Sequence, residues 1–178
     1  GTIEELKSSE WSGSGPDGPQ WSPDGNVLAF GATPGKGRDS AILLLDLRTR
    51  IVATLPGSEG HYSPRWSPDG RYIATQKVDE PYLMLFDLKT REWKELPRVG
   101  VGNQTWSRDG KYLYFSIGVR QDPGCWRVRI NDLRLDRVFS FKDLRSPDWW
   151  ISLAPDDSPL IMTDLGVQEI FAIDWEAP

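Results

Sequence analysis

Four aspartates recur at one position of a repeated five-residue segment, and they are the first candidates for chemistry in this chain. They are Asp24, Asp69, Asp109 and Asp156. A ring of such carboxylates could ligate a hard cation, because Ca²⁺ and Mg²⁺ prefer oxygen ligands. An aspartate in a turn also accepts hydrogen bonds from the backbone amides that follow it. Since each aspartate belongs to a separate repeat, we expect this turn role and predict no metal site.

The other reactive residue types are too few for the common catalytic and metal sites. His61 is the only histidine and Cys125 the only cysteine, and no G-x-S-x-G segment is present. A serine hydrolase needs a histidine beside its nucleophile, and a structural zinc site needs four ligands. The glycine-rich residues 31–37 resemble a P-loop, but no Ser or Thr follows Lys36. We therefore predict no catalysis and no cofactor.

The aspartates belong to copies of the segment Trp-Ser-Pro-Asp-Gly. The copies occupy residues 21–25, 66–70, 106–110 and, in divergent form, 153–157, so their starts lie 45, 40 and 47 residues apart. The segment is typical of a type I turn closed by a glycine with positive φ. Asp157 stands in the glycine position of the last copy, which predicts a positive φ for this residue. Spacings of this size are typical of propeller blades.

Each turn is followed by short runs rich in β-branched and aromatic residues, which predict strands. The first strand after the turn is predicted at 26–31, 71–75, 111–115 and 158–163, and the second at 41–47, 82–88, 125–130 and 169–175. A weaker outer strand is predicted at 51–55, 92–96 and 137–141, and the innermost strand ends in the Trp of the repeat. The second strands are almost continuously apolar, which indicates that both of their faces are covered. Four strands in about 40 residues match one propeller blade.

The predicted fold is therefore all-β, a β-propeller with four blades of four antiparallel strands in a single module. The blades span approximately residues 19–58, 62–98, 102–142 and 148–178, and residues 2–9 would supply the missing outer strand of the last blade. Thr2 and Glu5 also fit a helix capping box, so a short helix is the alternative for that segment. Four blades either close alone or join a second copy as an eight-bladed homodimer. We favour the dimer, because flat apolar strands suit a larger ring.

These repeats resemble those of TolB-like, WD-like bacterial β-propellers, on the strength of the turns and the strands around 111–115 and 83–88. The ending at 168–178 also resembles the C-termini of bacterial proteins in which a propeller follows a winged-helix regulator or a protein kinase and a membrane segment. The resemblance implies a sensory or interaction module of a larger signalling protein. It favours a periplasmic or extracytoplasmic location over a cytoplasmic one. Such propellers usually have six to eight blades, more than the four predicted here.

Composition disfavours nucleic-acid binding and a membrane-spanning segment. The chain has 21 basic and 26 acidic residues, for a net charge of −5, which disfavours nucleic-acid binding. No apolar run approaches the ~20 residues that a membrane span requires. Nine Trp residues are present, and those of the repeat are expected to pack between blades.

The predicted binding site lies at one mouth of the propeller channel. His61, Tyr62 and Arg65 precede the second turn, and Trp149 and Trp150 hold the corresponding place before the fourth. We expect them in loops leading into the innermost strands, where propellers usually bind, and aromatic and cationic residues are enriched in binding hot spots. The sequence thus favours a non-catalytic module that binds a protein, a peptide or a small ligand. Two alternatives stay open: an accessory propeller of a peptidase or hydrolase, and a purely structural oligomerisation domain.

Overall fold

Four antiparallel sheets follow one another along the chain in the computed structural model, which describes residues 17–32, 40–80, 82–118, 122–144 and 147–163. Three sheets have four strands, and two strands of the fourth are described. No helix occurs among the described residues. The prediction of an all-β chain built from four-stranded antiparallel sheets is thus confirmed. The predicted strands at 2–9 and 169–175 lie outside the described residues.

The strands are named in chain order. Blade 1 comprises β1 (Asp17–Trp21), β2 (Val27–Ala32), β3 (Ala41–Asp46) and β4 (Val52–Thr54). Blade 2 comprises β5 (His61–Trp66), β6 (Tyr72–Lys77), β7 (Leu83–Asp87) and β8 (Glu92–Glu95). Blade 3 comprises β9 (Gln104–Trp106), β10 (Tyr112–Ile117), β11 (Gly124–Arg129) and β12 (Leu135–Ser140), and blade 4 contains β13 (Pro147–Leu153) and β14 (Pro159–Thr163). In every sheet neighbours in sequence are neighbours in space.

The first strands of the blades meet one another, so they form the inner wall. Strand β5 contacts β1 and β9, and β9 contacts β13. The repeat therefore places its inner strands around a common axis and its later strands outward. We call β1, β5, β9 and β13 the inner strands.

The repeated turns have the predicted backbone. Gly25 and Gly70 have φ of 74° and Gly110 has φ of 68°, and Asp157 has φ of 63° in the same position. The aspartates accept hydrogen bonds within their own turns, as Asp69 Oδ1 does from the Ser67 hydroxyl at 2.6 Å and the Arg71 amide at 3.0 Å. The corresponding bonds occur at Asp24, Asp109 and Asp156. This confirms that the four carboxylates belong to separate turns.

Apolar side chains form layers between successive blades. The largest core lies between blades 2 and 3 and includes Leu83, Leu85, Leu113, Phe115 and Val128. Equivalent layers join blade 1 to blade 2 through Ile42, Ile73 and Phe86, and blade 3 to blade 4 through Tyr114, Cys125 and Ile151. Strands β3, β7 and β11 are thus buried on both faces, as predicted, while the fourth predicted second strand, at 169–175, lies outside the described residues.

One repeat tryptophan departs from the prediction that all of them are core. Trp106 is 8% exposed within the core between blades 2 and 3, and its Nε1 donates to the Arg65 carbonyl of the preceding blade at 2.9 Å. Trp21 is 58% exposed. The repeat Trp packs toward the blade before its own, and none of the described blades precedes blade 1. Burial of this residue type therefore depends on the neighbouring blade.

Candidate functional site

The four residues that precede the repeat Trp, or its equivalent Leu153, all line one cleft between the inner strands. They are Gln20 on β1, Arg65 on β5, Thr105 on β9 and Ser152 on β13. The cleft has a volume of about 270 Å³ and is also lined by Asn103 and Trp150. Equivalent positions converge because each blade presents its inner strand to the axis in the same orientation. We call this site the channel cleft.

A β-bulge in β5 decides which of its side chains reach the cleft. His61 pairs with Lys77, whereas Arg65 pairs with Ala74, so one extra residue is inserted between them. Ser63 takes up the irregularity with φ of 51°. Paired residues share a face of the sheet, and Lys77 and Ala74 are three apart, so they lie on opposite faces. His61 and Arg65 consequently point to opposite sides of blade 2, although they are four positions apart in the strand.

Side-chain amides tie the inner strands together behind the cleft. Gln104 Nε2 donates to the Ser63 carbonyl at 2.7 Å, and Asn103 Nδ2 donates to the Ile151 carbonyl at 2.8 Å. Gln76 Nε2 donates to the Gly102 carbonyl at 2.7 Å and to Gln104 Oε1. Gln104 is 1% exposed, so these bonds satisfy polar groups that water does not reach. The cleft wall is therefore held in place across three blades.

The structure brings only part of the predicted site together. Arg65 and Trp150 both line the channel cleft, and Trp150 is 60% exposed. Tyr62 does not line it, because its hydroxyl donates to Gln76 Oε1 at 2.7 Å beside the amide network. The side chain of Trp149 lies outside the described part of the structure. His61, Tyr62 and Arg65 lie within β5, and Trp149 and Trp150 within β13, whereas the sequence predicted loops ahead of the inner strands.

His61 was predicted to lie at the channel mouth, but it does not line the channel cleft. Its side chain is 3% exposed, a hydrogen bond of 2.9 Å joins its Nδ1 to Thr75 Oγ1, and its ring meets the Trp93 ring edge to face at 4.5 Å. The pKa of His61 is lowered to about 4, chiefly by burial and also by the charge of Lys77, while Glu59 acts in the opposite direction. A ligand in the cleft does not touch this side chain. The bulge is the physical reason.

The buried His61 predicts an acid-dependent loss of stability. Its pKa in the folded chain is lowered to about 4, below that of an unfolded histidine, so the unfolded chain binds more protons below about pH 6.5. Stability is full above that pH and falls as the pH is lowered. Between pH 7.5 and 5 we expect this group to cost about 2 kcal/mol of unfolding free energy. Urea unfolding of the wild type and His61→Asn at both pH values measures the difference, since carboxylates contribute equally to both. If the unfolding free energy fell equally in the wild type and in His61→Asn, the result would contradict a buried, neutral His61 ring.

Sequence reasoning missed most of the cleft. Gln20, Asn103, Gln104, Thr105 and Ser152 were not singled out, although three of them hold the position before the repeat Trp or its equivalent. That position was the available signal. An alignment of the four repeats would have identified this position as the one whose side chain faces the axis.

The described residues contain no cluster of three or more His, Cys, Asp or Glu able to hold a metal ion. No helix with the length and apolar character of a membrane span occurs in the same ranges.

Comparison with solved structures gives the class of the fold. TolB from Acinetobacter baumannii superposes with a TM-score of 0.64 and 22% identity over 88% of this chain and 39% of that one. Hydrazine synthase from Kuenenia stuttgartiensis gives 0.66 and 19% identity over 94% and 47%. The β-propeller domain of the Trilobed protease from Pyrococcus furiosus gives 0.58 and 20% identity over 75% and 45%. No protein-family model and no curated protein matches the chain.

The chain has a TolB-like β-propeller fold. All three identities are below 25%, so the likeness establishes architecture and transfers no activity. The chain spans 39% to 47% of the length of these three structures. The activities and partners of whole proteins therefore enter only as proposals.

Proposed function

We propose that this chain is a non-catalytic binding module that uses the channel cleft to hold a ligand or a partner segment. The observation that carries the proposal is the convergence of four equivalent inner-strand positions, Gln20, Arg65, Thr105 and Ser152, on one concave site. Small sites of this kind, with a few convergent polar groups, are typical of binding pockets. The amide bonds behind the cleft support the proposal, because a preformed wall lowers the entropy cost of binding.

The chemistry of the lining supports binding without catalysis. Arg65 is the only ionisable residue among the described residues that line the cleft. The hydroxyls of Thr105 and Ser152 have no histidine or carboxylate beside them in that lining, and a hydroxyl nucleophile needs such a base. A role as the sensory end of a bacterial signalling protein, outside the cytoplasm, follows from the resemblance of the repeats and is part of this proposal. A hydrolase domain in the same polypeptide would instead favour an accessory propeller.

A fragment screen by NMR tests the proposed site. We expect Arg65→Ala and Trp150→Ala to weaken the fragments that bind by tenfold or more, with melting temperatures within a few degrees of the wild type. Trp21→Ala is the matched control, since Trp21 and Trp150 are 58% and 60% exposed and only Trp150 lines the cleft. Equal effects of the two Trp variants would place binding elsewhere.

We also propose that a second copy of the chain covers the face of β14 that carries Leu160 and Met162. Leu160 and Met162 lie two residues apart on β14 and are 54% and 53% exposed, while Ile161 between them packs on blade 3. Adjacent exposed apolar residues on one sheet face are an association hazard in water. Light scattering should give a mass about twice the 20.2 kDa of one chain, and Leu160→Lys with Met162→Lys should halve it. A wild type that stays monomeric and folded at micromolar concentration would contradict this.

A further inference from the structure

Arg65 carries the only charge among the described residues that line the channel cleft. The equivalent positions on the other inner strands hold the neutral residues Gln20, Thr105 and Ser152. The chain as a whole has a net charge of −5, so a cation in a described lining that contains no carboxylate is opposite in sign to the overall charge. A ligand held at this position therefore meets a positive charge surrounded by hydrogen-bonding amides and hydroxyls.

The guanidinium of Arg65 has unused hydrogen-bonding capacity. Its Nη1 donates to the Pro64 carbonyl at 2.8 Å, and the described residues give no acceptor to Nε or Nη2. The edge formed by Nε and Nη2 presents two parallel N–H groups, which match the two oxygens of a carboxylate. The bond to the Pro64 carbonyl fixes one end of the group and helps to orient that edge.

Partial burial makes an anion more favourable at this guanidinium. Desolvation lowers the pKa of Arg65, and Asp17 raises it, without an ion pair between these two described residues. A cation that has lost part of its hydration gains more from a charged partner than a fully hydrated one does. Among the described residues, Arg65 has no carboxylate within ion-pair distance, unlike most structural arginines.

Trp150 provides an aromatic surface in the same cleft. Its side chain is 60% exposed, and the next residue on β13 is held by the bond from Asn103 Nδ2 to the Ile151 carbonyl. An exposed indole on a fixed strand offers a face for stacking of a planar group. The cleft volume of about 270 Å³ suits a small ligand, since pockets for drug-sized molecules start near ~300 Å³.

We propose that the channel cleft recognises a small planar carboxylate, with the carboxylate on the Nε–Nη2 edge of Arg65 and the planar part against Trp150. This inference rests on the proposed function of the cleft as a binding site. It adds the chemical class of the ligand and assigns the specificity to one residue.

Benzoate and benzamide are a matched pair of probes, because they share the planar ring and differ in charge. We expect benzoate to shift the indole N–H resonance of Trp150, assigned from the spectrum of Trp150→Phe, and to bind at least tenfold more tightly than benzamide. Charge-assisted hydrogen bonds are about twice as strong as neutral ones, which is the source of this preference. Arg65→Gln should bring the ratio of the two affinities to about one, and Arg65→Lys should keep part of it. Arg134 is exposed and lies directly before β12, so Arg134→Gln should leave the ratio of the two affinities unchanged.

Three results would overturn the inference. They are equal affinities of the wild type for the two probes, a preference for benzoate that survives in Arg65→Gln, and no shift of the Trp150 resonance by benzoate at 10 mM, roughly ten times a millimolar dissociation constant. The Arg65 variants keep the backbone carbonyl that accepts a hydrogen bond from Trp106 Nε1, so we expect them to fold. Their melting temperatures check this. The proposed function is judged separately, because neutral fragments that bind at Trp150 would preserve it while the carboxylate inference fails.

Discussion

Phe115→Ala is expected to lower the unfolding free energy by about 3–5 kcal/mol, the range for removing a large buried aromatic side chain. Phe115 is 1% exposed and lies in the apolar core between blades 2 and 3. Strand β10 is held by β9 and β11 on either side, so the surrounding structure cannot collapse into the cavity. The melting temperature should fall by roughly 10 °C, at 2–4 °C per kcal/mol for a chain of this size.

Phe139→Ala is the matched control for this prediction. Phe139 is 43% exposed on the outer strand β12 of the same blade, so its loss should cost less than about 1 kcal/mol. Urea unfolding followed by both fluorescence and circular dichroism gives the two values, and coincident transitions establish that a single free energy applies. Comparable losses in the two variants would mean that the layer between blades 2 and 3 does not carry the stability of the module.

Gln104→Met is expected to cost about 2–4 kcal/mol, because it leaves polar partners unpaired inside the wall of the cleft. The Ser63 carbonyl loses its donor and the Gln76 amide loses one acceptor, while the side-chain volume hardly changes. The single Gln76→Met variant should also destabilise. The double variant should cost less than the sum of the two, since each removes a partner that the other leaves unsatisfied.

Gln20→Met provides the comparison residue on an inner strand. Gln20 is partly exposed and lines the cleft on β1, so water can solvate its side-chain amide. Its substitution should change the unfolding free energy by less than about 0.5 kcal/mol. If Gln104→Met were equally mild, the amide network would be dispensable for folding, and the channel wall would need another source of rigidity.

The architecture was readable from sequence wherever local chemistry decides it. A glycine at the end of the repeated turn fixes a positive φ, and the same reasoning correctly assigned a positive φ to Asp157. The carboxylates of those turns accept hydrogen bonds from the backbone amides two residues later in the sequence. This contact depends only on neighbouring residues of the chain. The apolar runs of β3 and β7 likewise predict strands covered on both faces, because their composition leaves no polar face.

The candidate site was readable only in part, because it depends on which way inner-strand residues face. Arg65 and Trp150 were found from their residue types, and both line the cleft. His61 was assigned to the same surface, yet the bulge at Ser63 turns it into the layer between blades 1 and 2. A single inserted residue reverses the alternation of a strand, and alternation alone does not show where it falls.

The sequence by itself determined the repeat, the turn geometry and the approximate strands of this protein, because these follow from backbone preferences within a few residues. The tertiary structure alone decided the rest. Trp21 is exposed and Trp106 buried although both begin the same motif, since the environment of each is supplied by a neighbouring blade. Gln104 is buried and hydrogen-bonded whereas Gln20 is partly exposed in the cleft for the same reason: burial and partners come from residues distant in the chain, which no local pattern encodes.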